Sequence, residues 1–193
     1  MAGIDDVDRA ATAVLPLVAG LTPDDLARPT PCEAWNVRAL VNHLTFGNRL
    51  FAGILRGEQP PPLDELLRLR DIDRLGDDPP AAFGASVDEF RTAFRQPEVA
   101  GQTFPTPAGP MPADGVAAIR VAELLVHGWD LARALHEPAT FPDDLAERAL
   151  GLWRERLATM PRHAGGPFGP EQPVRDDAPA IDRLAALLGR TVE

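Results

Sequence analysis

The chain has 193 residues, with 29 acidic against 19 basic side chains and a net charge of -10. That length builds one domain with a substantial core rather than two, and an acidic chain without an arginine cluster lacks the basic stripe that neutralises nucleic-acid phosphates. No apolar run reaches the roughly 18 residues of a membrane span, the N-terminal MAGIDDVDRA is acidic where an export signal is basic then apolar, and the single Cys32 cannot form an internal disulfide, so a cytoplasmic protein is expected.

In chain order, Ile4, Val7, Ala11, Val14, Leu15 and Val18 fall at helical spacing and predict a first helix over 3–20, broken by the Gly20 to Pro31 stretch. Asn36 is a natural N-cap for a second helix through Val37, Leu40, Val41, Leu44, Leu50, Ile54 and Leu55 to about Arg56. The Pro- and charge-rich segment 57–79 reads as a long crossover with one short turn of helix at Leu63 to Leu69. Phe83, Val87, Phe90 and Phe94 mark a third long helix from about Pro80 to Gln96. FPTPAGPMP, 104–112, cannot continue a helix, because each proline lacks an amide donor and clashes with the preceding turn; it reads as a loop, with at most a small extended piece. Further helices are expected over about Ala113 to Leu135 and Pro142 to Met160, then a turn-rich stretch over 161–178 and a short helix from Ala180 to Leu188. With no convincing strand and no repeat, the fold class is all-α, a helical bundle.

The helix at 113–135 carries the most informative pattern. At about 100° per residue, with Glu123 at zero, His127 lies near +40° and Asp130 near -20°, so the three form one polar row. Leucines and valines cover the other directions, leaving Arg120, Trp129 and Arg133 on the more polar flanks. A helix this apolar is buried, and an unpaired buried carboxylate costs several kcal/mol, so Glu123 and Asp130 need a metal ion, an arginine or an imidazole beside them. On the second helix His43 falls in the core stripe with Asn36, Ala39, Leu50 and Ile54, and Gly47 one turn later leaves room beside it. Two such rows facing each other is how bundle metal sites are made, and His43, Glu123 and His127 would form a two-His, one-carboxylate set for a divalent metal with open positions.

The same residues admit plainer readings. Glu123 and His127 four apart also make an ordinary helical side-chain pair, and His43 a hydrogen-bonded core histidine. Asp130 could simply pair with Arg133. Trp35 and Trp129 read as packing residues, Cys32 as a structural residue in a Pro-rich turn, and His136 and His163 as solvated.

TPCEAWNVRALVNHL at 30–44 carries the pattern T-P-C-x-x-W-x-V-x-x-L-x-x-H, and RVAELLVHGWDLARAL at 120–135 carries E-x-x-x-H-G-W-D-L-A. Both resemble the paired signatures of the mycothiol-dependent maleylpyruvate isomerase-like proteins of the DinB/YfiT superfamily, and FGPEQPVRDDAPAIDRLAALLGR at 168–190 is similar to the tail of an actinobacterial metal-binding subfamily. The resemblance implies a single DinB-like domain, a four-helix bundle with a long crossover and additional C-terminal helices. It implies metal ligands at His43, Glu123 and His127, the three that helical phase selects. The implied metal is zinc, or nickel or iron as in relatives, and the implied chemistry is transfer or isomerisation with a low-molecular-weight thiol such as mycothiol; an arginine-only, lysine-free chain suits an actinobacterial mycothiol user.

On that basis the expected partners are a small-molecule thiol and an electrophilic substrate, with homodimerisation through the first and third helices as a weaker expectation. Asp130 would orient a ligand or move a proton, and Arg120 would receive a carboxylate of thiol or substrate, or else face the loop. Maleylpyruvate isomerase proper has a second domain that contributes to its site, so maleylpyruvate itself is not the expected substrate. A metal-dependent hydrolase uses the same ligands, and a non-catalytic metal- or ligand-binding bundle is the rival from another class.

Overall fold

Residues 3–33, 35–159 and 168–192 are described in the computed structural model of the protein. The helices are α1 (Ile4–Ala19), α2 (Val37–Leu55), α3 (Leu63–Arg70), α4 (Pro79–Phe94), α5 (Ala113–Leu135), α6 (Asp143–Thr159) and α7 (Ala180–Leu187), with strands β1 (Thr103–Thr106) and β2 (Gly109–Pro112) between α4 and α5. α1 and α2 each pack against both α4 and α5, the arrangement of a four-helix bundle, while α6 and α7 pack on each other and on α5. None of these helices is long and apolar enough to cross a membrane.

The apolar stripes read from the sequence are the bundle core. Val7, Ala11, Val14 and Val18 of α1, Leu40, Leu44 and Ile54 of α2, Phe83 and Phe90 of α4, and Leu124 and Leu125 of α5 are all buried. Each large side chain among them contributes roughly 1.5–3 kcal/mol relative to exposure. Asn36 caps α2, its Oδ1 accepting the Ala39 amide at 2.9 Å, and Asp78 caps α4 through the Ala81 amide at 3.0 Å.

Three features differ from the sequence reading. The crossover carries a two-turn helix, α3, rather than a single turn; none of its residues is buried, and Leu63, Leu67 and Ile72 beside it are exposed. The proline-rich loop is a β-hairpin with Phe104 opposite Met111, both buried. Pro105, Pro107, Pro110 and Pro112 hid its alternation, and the turn closes because Gly109 adopts φ 98° and the Thr106 hydroxyl donates to the Gly109 carbonyl at 2.6 Å. Arg120 and Trp129, expected on polar flanks of α5, are each 1% exposed. Helical phase measures direction around one helix, and here α2 covers the Arg120 side while Asp182 of α7 accepts the Trp129 indole N–H at 2.7 Å. His163 and the end of the fifth predicted long helix at Met160 lie outside the described residues.

Candidate metal centre

His43 projects from α2 and Glu123 and His127 from the neighbouring α5, so the two polar rows face each other. His43 Nε2 lies 2.9 Å from Glu123 Oε2, and His127 Nε2 lies 3.7 Å from the same oxygen. One ligand atom from each of the three lies within 4.8 Å of the others. Metal–nitrogen bonds of about 2.0–2.1 Å at near-tetrahedral angles place ligand atoms roughly 3.3 Å apart, so a divalent ion fits this tripod with small side-chain adjustments. The His43 and Glu123 side chains are each one-fifth exposed, so the tripod is not sealed from solvent.

Each histidine is held differently. His127 Nδ1 lies 3.0 Å from Asp130 Oδ2, one turn along the same helix. Asp130 is fully buried, and its two oxygens accept from Arg190 Nε at 3.1 Å and Nη2 at 2.9 Å. His43 is gripped by a ring: Trp35 stacks on it with centroids 4.4 Å apart and planes 27° apart, and also lies 5.5 Å from the His127 ring. The His43 Nδ1 is buried without a hydrogen-bond partner. Trp35 reaches this position because the 28–36 loop is closed on itself. The Val37 amide donates to the Arg28 carbonyl at 3.0 Å, and the Thr30 hydroxyl donates to the Trp35 carbonyl at 2.7 Å.

The electrostatics favour an anionic tripod. Burial alone would push the Glu123 carboxyl up, but the His43 hydrogen bond and the nearby Arg120 charge hold it well below the usual carboxylate range. Desolvation pushes the His43 imidazole down, against the pull of Glu123, which favours the neutral ring that a metal requires. Burial would also raise the Asp130 carboxyl, yet the His127 hydrogen bond and the Arg190 fork hold it down.

Arg120 does not face a loop. Its guanidinium lies against α2, with Nη2 donating to Asn48 Oδ1 at 2.9 Å and more weakly to the Leu44 carbonyl at 3.4 Å. Asn48 Nδ2 in turn donates to Ser86 Oγ at 3.0 Å, and Ser86 to the Phe83 carbonyl at 2.7 Å, so a buried polar relay joins α5, α2 and α4. Gly47 makes this possible, since a Cβ there would overlap the Arg120 guanidinium. Arg133 does not pair with Asp130; it lies 3.5 Å from Asp182. His136 is exposed, as expected, in a left-handed conformation that ends α5. It lines a surface cavity of about 410 Å³ with Arg28, Thr30 and Arg133, but none of the tripod residues borders that cavity.

The part that two residues play at the site escaped the sequence reading. Trp35 is a packing residue, as expected, but what it packs on is a candidate ligand, and its place in the W-x-V-x-x-L-x-x-H signature, eight residues before His43, is the signal for that. Arg190 lies 60 residues from its Asp130 partner, and no local pattern links them.

The mycothiol maleylpyruvate isomerase N-terminal domain family matches residues 7–132. Two uncharacterized Mycobacterium tuberculosis proteins, MT0763 of strain CDC 1551 / Oshkosh and Rv0738 of strain ATCC 25618 / H37Rv, are each 31% identical over 186 residues, 95% of this chain and 95% of theirs. Among solved structures, the mycothiol-dependent maleylpyruvate isomerase superposes with a TM-score of 0.61 at 16% identity, covering 78% of this chain. A histidine-to-alanine variant of that enzyme superposes with a TM-score of 0.64 at 15% identity over the same share. At these identities the likeness is one of fold, and the superposed part spans 65% of the enzyme's length.

Proposed function

The chain belongs to the mycothiol maleylpyruvate isomerase N-terminal domain family, and from that premise we propose that it is a divalent-metal enzyme using a low-molecular-weight thiol, mycothiol being the natural candidate, in a transfer or isomerisation reaction. The observation that carries the reading is the convergence of His43, Glu123 and His127 from two helices within 4.8 Å, partly open to solvent. Zinc suits this nitrogen and oxygen donor set, and nickel or iron(II) would also be accepted.

A bound divalent ion would stabilise a coordinated thiol as thiolate at neutral pH, giving a nucleophile toward an electrophilic substrate. The chain's own residues would do the rest. Glu123 would contribute the one negative charge of the ligand set, and Asp130, accepting from His127 Nδ1, would keep the Nε2 lone pair turned toward Glu123 and His43. Trp35 would fix the His43 ring and exclude water from one side of it. Arg120, assigned from the sequence to a ligand carboxylate, would bring positive charge to the inner wall, although its Nη2 already serves Asn48 and Leu44.

Metal analysis of purified protein beside His43→Ala and Glu123→Ala tests the site. The expected result is about one divalent ion per chain in the parent and a large loss in both variants; equal metal in all three removes the site. Loss of mycothiol against a panel of electrophiles tests the chemistry. Because the same three ligands would serve a metal-bound water as well as a thiol, hydrolysis without thiol consumption would favour a metal-dependent hydrolase. Tight retention of a small molecule with no turnover would favour a binding bundle.

A further inference from the structure

Arg190 comes to the metal centre from outside the four-helix bundle. It follows α7, where the Gly189 amide donates to Ala186 and the Arg190 amide to Ala185, each at 3.0 Å, closing the helix in a Schellman turn. Gly189 takes φ 93°, and a Cβ there would lie 2.8 Å from Gly169 Cα, so only glycine lets the chain pass this close to the 168–172 segment. The turn aims Arg190 inward. The side chain is 6% exposed, and beyond its fork on Asp130 its Nη1 donates to the Leu188 carbonyl at 3.0 Å. Residue 190 also lies outside the 7–132 span of the family match.

We propose that Arg190 is a positioning residue for the metal centre: its fork holds the Asp130 carboxylate, which holds the His127 ring with Nδ1–H donating and Nε2 presented to Glu123 and His43. The inference rests on the metal-site reading above. The physical reason is that Asp130 is wholly buried and has two partners. Without the fork, a buried carboxylate loses two of its three hydrogen bonds and is free to turn away from the imidazole, and that turn releases the His127 ring. His43 cannot compensate, since its Nδ1 has no hydrogen-bond partner and it is held by the Trp35 stack and the Nε2 contact to Glu123, neither of which holds the Asp130 carboxylate. The last turn of the described chain therefore controls one ligand of a site built on α2 and α5.

The test compares Arg190→Met, Arg190→Lys and Asp182→Asn. Asp182→Asn loosens α7 at its other tie to α5, the bond from Trp129, and leaves the Asp130 fork intact. Zinc affinity is measured with a competing chelator, melting temperature on metal-free protein, and the His127 tautomer by NMR of the imidazole nitrogens, also metal-free. Arg190→Met is expected to weaken zinc binding roughly 10- to 100-fold, the usual effect of losing an outer-sphere partner, and to abolish the fixed Nδ1–H tautomer. Arg190→Lys, with charge but no fork, is expected to fall between. Asp182→Asn is expected to lower the melting temperature while zinc affinity stays within about twofold of the parent. The proposal is overturned if Arg190→Met keeps both parental affinity and the Nδ1–H tautomer, or if Asp182→Asn weakens zinc as much as Arg190→Met. Should the parent bind no divalent metal, the metal reading fails and the tautomer alone decides the role of Arg190.

Discussion

Gly47→Ala and Gly84→Ala make a pair of chemically identical substitutions, both inside long helices, for which the structure predicts opposite signs. Replacing a helix-interior glycine by alanine gains about 1 kcal/mol from backbone entropy and propensity. At Gly84 a new methyl meets nothing within 4 Å, so that gain is realised. At Gly47 the methyl would fall on the Arg120 guanidinium, with Cζ at 3.0 Å and Nη2 at 3.2 Å. A flexible arginine tip normally gives way cheaply, but this one is buried and bonded to Asn48 and Leu44. If it stays, overpacking costs roughly 1–3 kcal/mol. If it moves, a charge-assisted hydrogen bond worth roughly 1.5–3 kcal/mol is lost. After subtracting the propensity gain, Gly47→Ala should destabilise by up to about 2 kcal/mol, a melting temperature lower by up to roughly 8 °C for a chain of this size. Gly84→Ala should raise it by about 2–4 °C. Thermal and urea melts on metal-free protein read both, and Gly47→Ala combined with Arg120→Met should recover part of the loss. A Gly47→Ala variant as stable as Gly84→Ala would show that Arg120 is not pinned against α2.

Zinc at about 100 times its dissociation constant should stabilise the parent by about 2.7 kcal/mol, seen as a raised melting temperature that chelator reverses; the same shift in Glu123→Ala would contradict the tripod. Asn36→Ala removes the α2 cap and should cost about 1 kcal/mol, measured by urea denaturation; no loss would mean the Ala39 amide finds another acceptor. The Asp144 carboxyl is held at about 2, chiefly by the Arg9 hydrogen bond and also by Arg148. A lowered folded value contributes stability that is present above the unfolded value of about 3.9 and lost as pH falls toward the folded one. Asp144→Asn should therefore be less stable than the parent at pH 6, with the difference shrinking below about pH 4 and mostly gone by about pH 2; a constant difference across that range would refute the assignment.

The helices and the candidate ligand set are legible in local pattern. The stripes on α1, α2, α4 and α5 each repeat over several turns, and a helix that must bury such a stripe has little choice of partner face. Glu123, His127 and Asp130 share one direction on α5 by helical geometry, and His43 shares the core direction of α2. Periodicity is silent where backbone geometry depends on distant contacts. The hairpin at 103–112 needed a Gly109 turn and a Phe104–Met111 pair that four prolines disguised, and α3 has too little burial to announce itself.

Which neighbours each polar group meets depends on packing between distant segments. Arg120 and Trp129 point where helical phase puts them, but α2 and α7 occupy those directions, so neither is on a polar flank. Asp130 is paired by Arg190 rather than Arg133, because the Schellman turn after α7 and the Gly169–Gly189 approach bring that guanidinium back across the bundle. Phase along a helix is a local property encoded every 3.6 residues; the identity of what lies opposite is set by packing between segments far apart in the chain, and that packing supplies Arg190 and Trp35 to the candidate site.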